Sequence, residues 1–322
     1  MTADVREHFI ATNGIRMYLT EQGKGPLVVL CHGWPELGYS WRQQAPVLAA
    51  AGYRVVVPDM RGFGRTDAPE DIDAYNILQL VGDVVGLVSA LGERQAVLIG
   101  HDWGANLTWM AAMMRPDLFP AIAALSVPRR ARGAEPPLEI LSKRGIHNFY
   151  WQYFQEPGVA ESEFERDVGF SLRSAFSGGI TSMFVDPKTG FFGDPSNLPP
   201  LPGWISEKEL AVFVENYRRT GFRGGLNWYR NIDRNWKLTA PWHGTLIHQP
   251  TLFIAGSRDP VIGGPMGEAA MKQLAEIVPG LTRQLIIDGA GHWIQQEKPQ
   301  EVNQALLQFL QQFAPGAVIR KS

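Results

Sequence analysis

Short apolar runs rich in β-branched residues recur along this chain, with stretches of helical periodicity between them. Runs at 9–12, 16–20, 27–30, 54–58, 96–99, 121–127, 251–255 and 283–287 read as strands. The later runs are apolar on both faces, as expected of parallel strands covered by helices. The first two flank Asn13-Gly14, a dipeptide suited to a tight hairpin turn. Helical patterns occupy 41–51, 77–91, 106–114, 267–278 and 299–313. This alternation predicts an α/β protein with a doubly wound, mostly parallel sheet. A ligand site is expected at the carboxyl ends of its strands.

From 129 to 240 the alternation stops, and helix-like segments mix with Pro/Gly-rich loops such as 193–203. The simple reading is an α/β core made of 1–128 and 241–322, interrupted by a helical insertion at 129–240. Eighteen of the 34 aromatic residues lie in that insertion. They can line an apolar ligand pocket or build a small core of their own, and both readings stand.

Composition excludes several classes of function. Apolar residues make up 45% of the 322 and charged residues 19%, a globular balance. Thirty Lys plus Arg against 32 Asp plus Glu leave a formal charge of −2, so no field favours nucleic acid as a partner. The single cysteine, Cys31, allows neither an intrachain disulfide nor a cysteine-based zinc cluster. The opening residues carry acids where a secretory signal needs an apolar run. No uninterrupted apolar stretch is long enough to span a bilayer, and a cytoplasmic protein with no membrane partner is expected.

The segment Ala96-Val-Leu-Ile-Gly-His-Asp-Trp-Gly-Ala105 reads as a strand, a sharp turn and a helix start. Gly100 and Gly104 stand two residues either side of Asp102. This is the spacing of a nucleophile elbow, with Asp where a lipase carries Ser. Taken alone, an Asp before a helix is equally an ordinary N-cap. The glycines and the preceding apolar strand favour the elbow.

A carboxylate nucleophile selects its substrates. Serine attacking a saturated carbon would form an ether, with no carbonyl for water to attack. Aspartate attacking the same carbon forms an ester whose acyl carbon belongs to the protein, and water can cleave it. Asp102 therefore points to an electrophilic sp3 carbon, in an epoxide or an alkyl halide.

The second step needs a base. His292 lies in Gly289-Ala-Gly-His-Trp293 after the last strand, and Asp259 in Gly256-Ser-Arg-Asp-Pro260 after the strand before it. Singly, these read as a loop histidine and an Asp-Pro turn residue. Together, nucleophile, acid and histidine follow the order of the α/β-hydrolase triad. His292 would activate water, and Asp259 would fix its tautomer and stabilise the imidazolium. An oxyanion hole is expected from the backbone N–H groups of Trp103 and Trp34, the latter in His32-Gly-Trp-Pro35. His32 itself is expected to bond loop backbone, and Asp59 to tie a glycine-rich loop.

The pieces HGWPE at 32–36, DMRGFG at 59–64, GHDWGA at 100–105, YWQYFQEPG at 150–158, NWYRN at 227–231 and GHW at 291–293 resemble the epoxide hydrolase branch of the α/β-hydrolase superfamily. The resemblance implies that superfamily's fold, a mostly parallel eight-stranded sheet flanked by helices, with the insertion as a helical cap. It also implies two cap tyrosines that hold the epoxide oxygen, falling by motif on Tyr150 and Tyr229. Tyr153 lies in the same segment and competes for the first assignment. Trp103, Trp151, Phe154 and Trp293 are the expected substrate-contacting aromatics, and a homodimer is the implied assembly. Mammalian members carry an extra amino-terminal phosphatase-like domain; this sequence begins at the hydrolase domain, so phosphatase activity is not expected of it.

The tyrosines bear on the choice of electrophile. An opening epoxide leaves a basic alkoxide, which a phenol with an ordinary pKa of about 10 can protonate. A halide needs N–H donors and no proton. Many dehalogenases place an Asn donor where this chain has Trp34, which favours the epoxide. The expected reaction is epoxide plus water to vicinal diol through an ester on Asp102, with no metal or organic cofactor because no electron or hydride moves. A haloalkane dehalogenase using Asp102 and a non-catalytic receptor on the same fold are the alternatives.

Overall fold

The computed structural model describes residues 5–178 and 183–314. The chain divides into two compact units. One comprises Met1–Met60, Leu80–Ala131 and Trp242–Ser322, the other Arg61–Gln79 and Arg132–Pro241.

The first unit is built on eight strands: β1 (Arg6–Thr12), β2 (Ile15–Gln22), β3 (Leu27–Cys31), β4 (Arg54–Pro58), β5 (Val97–His101), β6 (Ile122–Leu125), β7 (Thr251–Gly256) and β8 (Leu281–Ile287). Their order across the sheet is β1-β2-β4-β3-β5-β6-β7-β8. Asn13 (φ 43°) and Gly14 (φ 77°) both adopt positive φ and join β1 to β2, the backbone a tight type I′ hairpin requires. β1 and β2 pair antiparallel, as do β2 and β4; from β4 to β8 all pairings are parallel. The chain leaves β3 toward β4 on one side and then crosses to β5 on the other. That reversal opens a crevice at the carboxyl ends of β3 and β5, where ligands of such sheets bind.

The helices are α1 (Ala45–Ala50), α2 (Ile77–Ala90), α3 (Trp103–Met114), α4 (Pro137–Lys143), α5 (Tyr150–Tyr153), α6 (Val159–Phe164), α7 (Val168–Phe176), α8 (Glu207–Thr220), α9 (Arg223–Arg230), α10 (Ile232–Leu238), α11 (Gly264–Ile277), α12 (Ile294–Glu297) and α13 (Pro299–Phe313). Alternate residues of the strands, among them Val28, Leu30, Val55, Val57, Val97, Ile99 and Ile254, form one core with Leu48 of α1 and Leu306 and Leu310 of α13. Each such side chain stabilises the fold by about 1.5–3 kcal/mol on full burial. α3 packs on β5 and β6. The helix predicted over 41–51 is broken: a 3-10 turn covers Gly38–Trp41, and α1 starts at Ala45 with proline in its first turn. Pro46 lacks an N–H and its ring collides with the carbonyl four residues back, so a helix can begin there but not run through.

Among its described residues the second unit is helical, holding α4 to α10 and two isolated β-bridges. Its aromatics build a core of their own: Phe154, Phe164, Phe176, Phe213, Phe222 and Trp228 are fully buried. Residues 61–79, predicted with the α/β core, group with this unit, and the Trp228 indole donates to the Arg61 carbonyl at 3.0 Å. Among the described residues, no helix is long and apolar enough to cross a membrane.

Candidate active site

Asp102 sits between β5 and α3 with φ 53° and ψ −118°. A non-glycine residue held there costs on the order of 1–3 kcal/mol, so the surroundings must enforce it. They do so by close approach. A Cβ on Gly100 would lie 2.0 Å from the Gly104 carbonyl oxygen, and one on Gly104 2.1 Å from that of Cys31. Only hydrogen at both positions lets strand, turn and helix pack. The Asp102 side chain makes no capping bond to α3, which removes the N-cap reading.

Its two carboxylate oxygens have different neighbours. Oδ1 accepts the backbone N–H of Trp34 at 2.9 Å. Oδ2 lies 3.5 Å from Nε2 of His292. The loop after β3 brings Trp34 into place because its neighbour is glycine: a Cβ on Gly33 would stand 2.3 Å from Asp102 Oδ1. Trp103 opens α3, whose first-turn N–H groups lie outside the intrahelical ladder.

His292 follows β8. Its Nδ1 lies 3.1 Å and 3.2 Å from the two carboxylate oxygens of Asp259, whose side chain is fully buried after β7. The Val261 N–H donates to Asp259 Oδ1 at 2.8 Å and orients it. Burial alone would lower the pKa of His292, but the carboxylates of Asp259 and Asp102 on either side hold it well above the ordinary histidine value. The imidazole thus stands between two carboxylates, and both favour its cationic form.

Several residues to which the sequence attached no role support this triad. Glu36 and His101 are fully buried and paired, with His101 Nδ1 2.6 Å from Glu36 Oε2. Burial opposes the charge on Glu36, yet His101 and the Gly33 N–H bring its pKa down to about 2. The Glu297 carboxylate accepts the N–H groups of Gly291 (2.7 Å) and Trp293 (2.9 Å), bracketing His292. Glu36 and His101 stand inside motifs read for their neighbours; the faint signal was a charged residue within an otherwise apolar stretch. His32 accepts the Met60 N–H at Nε2 and bonds the Gly33 carbonyl through Nδ1, and burial lowers its pKa. Asp59 accepts the Gly38 N–H at 3.0 Å. Burial pushes the Cys31 thiol up to about 12, which leaves it inert.

In the helical unit, the rings of Tyr150 and Tyr229 stand 5.7 Å apart at 71°. Phe154 meets both edge-on, at 5.5 Å and 5.0 Å. Phe154, one of the expected substrate-contacting aromatics, has no exposed surface and backs the two tyrosines. The Gln155 amide donates to the carbonyls of Trp151 (2.6 Å) and Tyr229 (3.1 Å), tying the two segments together. Tyr153 is committed elsewhere. Its hydroxyl donates to Glu163 at 2.5 Å, and burial and that carboxylate both raise its pKa. Trp151 and Trp103 are half-buried, whereas Trp293 is 4% exposed and packs edge-on against the His292 ring at 4.9 Å. No cluster of three or more His, Cys, Asp or Glu suited to a metal occurs among the described residues.

A family model described as alpha/beta hydrolase fold matches residues 26–299. Epoxide hydrolase A of Mycobacterium tuberculosis (strain ATCC 25618 / H37Rv) is 45% identical over 315 residues, covering 94% of this chain and 97% of that protein. The crystal structure of Epoxide Hydrolase A from Mycobacterium thermoresistibile superposes with a TM-score of 0.89 at 45% identity, over 96% of this chain and 98% of that one. An epoxide hydrolase from an endophytic Streptomyces gives 0.90 at 42% identity, over 95% of each chain. The chain belongs to the epoxide hydrolases of the alpha/beta hydrolase family.

Proposed function

We propose that this enzyme hydrolyses a small-molecule epoxide to a vicinal diol through a covalent ester on Asp102. The observation that carries the reading is the position of Asp102 between an N–H donor on one oxygen and a triad imidazole beside the other.

Oδ2 is the attacking oxygen, because Oδ1 is held by Trp34. Attack on one epoxide carbon breaks its bond to the ring oxygen. Tyr150 and Tyr229 bind that oxygen, and one of them gives it a proton. His292 enters this step as an imidazolium, and its proton replaces the one lost from the tyrosine. Alkylation removes the charge of Asp102, one of the two carboxylates that stabilised the cation, so the imidazole becomes a base as the step completes.

Neutral His292, oriented by Asp259, then takes a proton from water, and the hydroxide attacks the acyl carbon of Asp102. Oδ1 becomes the oxyanion, already facing the Trp34 N–H, with the Trp103 N–H as second donor. Collapse releases the diol and restores carboxylate and imidazolium. Removal of one such donor typically costs about 10²–10³ in rate.

Repeated turnover in heavy-oxygen water, followed by mass analysis of the peptide containing Asp102, tests the scheme. Label entering that carboxylate supports it. Label found only in the diol, with Asp102 unlabelled, means that water attacks the epoxide directly.

A further inference from the structure

The NWYRN segment carries an arginine to which the proposed reaction gives no task. Arg230 is the last residue of α9, next to Tyr229, and its side chain is 2% exposed. Its guanidinium meets the Glu161 carboxylate with both forks: Nη1 lies 2.8 Å from Oε1, and Nη2 donates to Oε2 at 2.9 Å. Nε donates to the Phe154 carbonyl at 3.0 Å, and Nη1 also donates to the side-chain oxygen of Asn227 at 2.9 Å.

Phe154 closes α5, the helix that Tyr150 begins. That helix is a single turn without a side-chain cap at its start. A lone turn fixes several dihedral angles for one hydrogen bond, so its shape must be imposed from outside. The Phe154 carbonyl has no helical N–H beyond it, and Arg230 supplies the missing donor. Glu161, in the first turn of α6, also accepts the Gly158 N–H at 2.9 Å. Arg230 therefore holds the chain on both sides of the bend between α5 and α6.

These bonds tie together the two segments that carry Tyr150 and Tyr229. Phe154, whose carbonyl Arg230 holds, packs edge-on against both rings. A slide of α5 along α9 would move one ring against the other. Two hydroxyls that share one epoxide oxygen tolerate only a few tenths of an ångström, because a hydrogen bond between oxygens spans roughly 2.5–3.0 Å. A buried ion pair is a poor device for stability, since apolar replacements of similar volume are often neutral or better. What the planar fork supplies is directed bonds in fixed geometry, which a lysine cannot reproduce. Resting on the proposed roles of Asp102, Tyr150 and Tyr229, we infer that Arg230, fixed by Glu161, is a positioning residue for epoxide ring opening that sets the spacing of the two tyrosines.

The effect belongs to one step. Ester cleavage uses Asp102, His292 and Trp34, none of which Arg230 holds. Arg230→Lys keeps the charge beside Glu161 and loses the fork, so it separates placement from charge.

Rapid-quench reaction with styrene oxide, read by intact mass, gives the fraction of enzyme carrying ester and the rate of each step. For Arg230→Lys the expected result is alkylation at least about tenfold slower, with ester hydrolysis within about threefold of wild type; a misplacement of a full ångström would cost roughly a hundredfold. In a Tyr229→Phe background the same substitution should slow alkylation by no more than about threefold, because one of the hydroxyls it places is already gone. Unchanged alkylation, equal loss in both steps, or the full effect in the Tyr229→Phe background would overturn the inference. If Arg230→Lys does not fold, Glu161→Gln decides: it weakens the grip on the guanidinium, and alkylation should slow several-fold more than hydrolysis. An unchanged ratio of the two rates overturns the inference. A wild-type enzyme that never carries ester on Asp102 would refute the proposed function, and the inference would fall with it.

Discussion

The backbone N–H of Trp34 lies 2.9 Å from Oδ1 of Asp102. In the proposed mechanism this donor already holds, in the resting protein, the oxygen that bears negative charge in the tetrahedral intermediate. Oδ2, 3.5 Å from the imidazole of His292, remains to attack. The two oxygens of one carboxylate thus have different neighbours, which suits the separate tasks proposed for them.

This arrangement leaves no room at residue 33. In Gly33→Ala the new methyl would meet Asp102 Oδ1 at 2.3 Å and must displace the carboxylate or the loop. Turnover should fall about a hundredfold, the scale of a lost donor or an ångström misplacement. Overpacking should cost about 1–3 kcal/mol of stability. Steady-state kinetics beside urea unfolding checks both, and unchanged activity would show that Asp102 does not need the Trp34 donor.

His292→Gln removes the base and leaves the nucleophile. Asp102 should still open the epoxide, and the ester should persist. Intact mass after incubation with substrate should show one substrate mass added per chain, with steady turnover reduced by at least about 10². Absence of the adduct, with turnover also lost, would show that ring opening cannot proceed without the His292 proton.

The charge on His292 predicts two pH effects. In catalysis, esterified Asp102 no longer supports the cation, so the acid limb of kcat should lie at lower pH than the titration of His292 in the free enzyme, followed by NMR. In stability, the folded-state pKa is raised above the unfolded value of about 6.5. The stabilisation from His292 is then complete below that value and fades as the pH rises through the folded one. The difference in urea midpoint between wild type and His292→Gln should shrink as the pH is raised over that window.

Tyr150, Tyr153 and Tyr229 of the helical unit should separate by role. Tyr150→Phe and Tyr229→Phe should each slow alkylation by about 10²-fold, because a proton donor to the leaving oxygen is lost. Tyr153→Phe should leave alkylation nearly unchanged and cost about 1 kcal/mol of stability, through its bond to Glu163. Single-turnover rates of ester formation rank the three, and a large effect at Tyr153 would reverse the assignment.

Local patterns set out the strands because each had its own period and turn: β-branched runs, a type I′ dipeptide at Asn13-Gly14, and glycines flanking Asp102 where any Cβ would collide. The positions of the three residues proposed as the triad were legible for the same reason, since each follows a strand within a few residues. Helix starts were less so, and the break before α1 came from Pro46 inside a convincing periodic stretch. What only the tertiary structure decided is which distant groups meet. No local signal brings Glu36 and His101 together 65 residues apart, or commits Tyr153 to the Glu163 carboxylate. Sequence determines the side chain at each position and its short-range backbone preference. The neighbours that fix its charge and its partner are chosen by packing, and packing is a property of the whole chain.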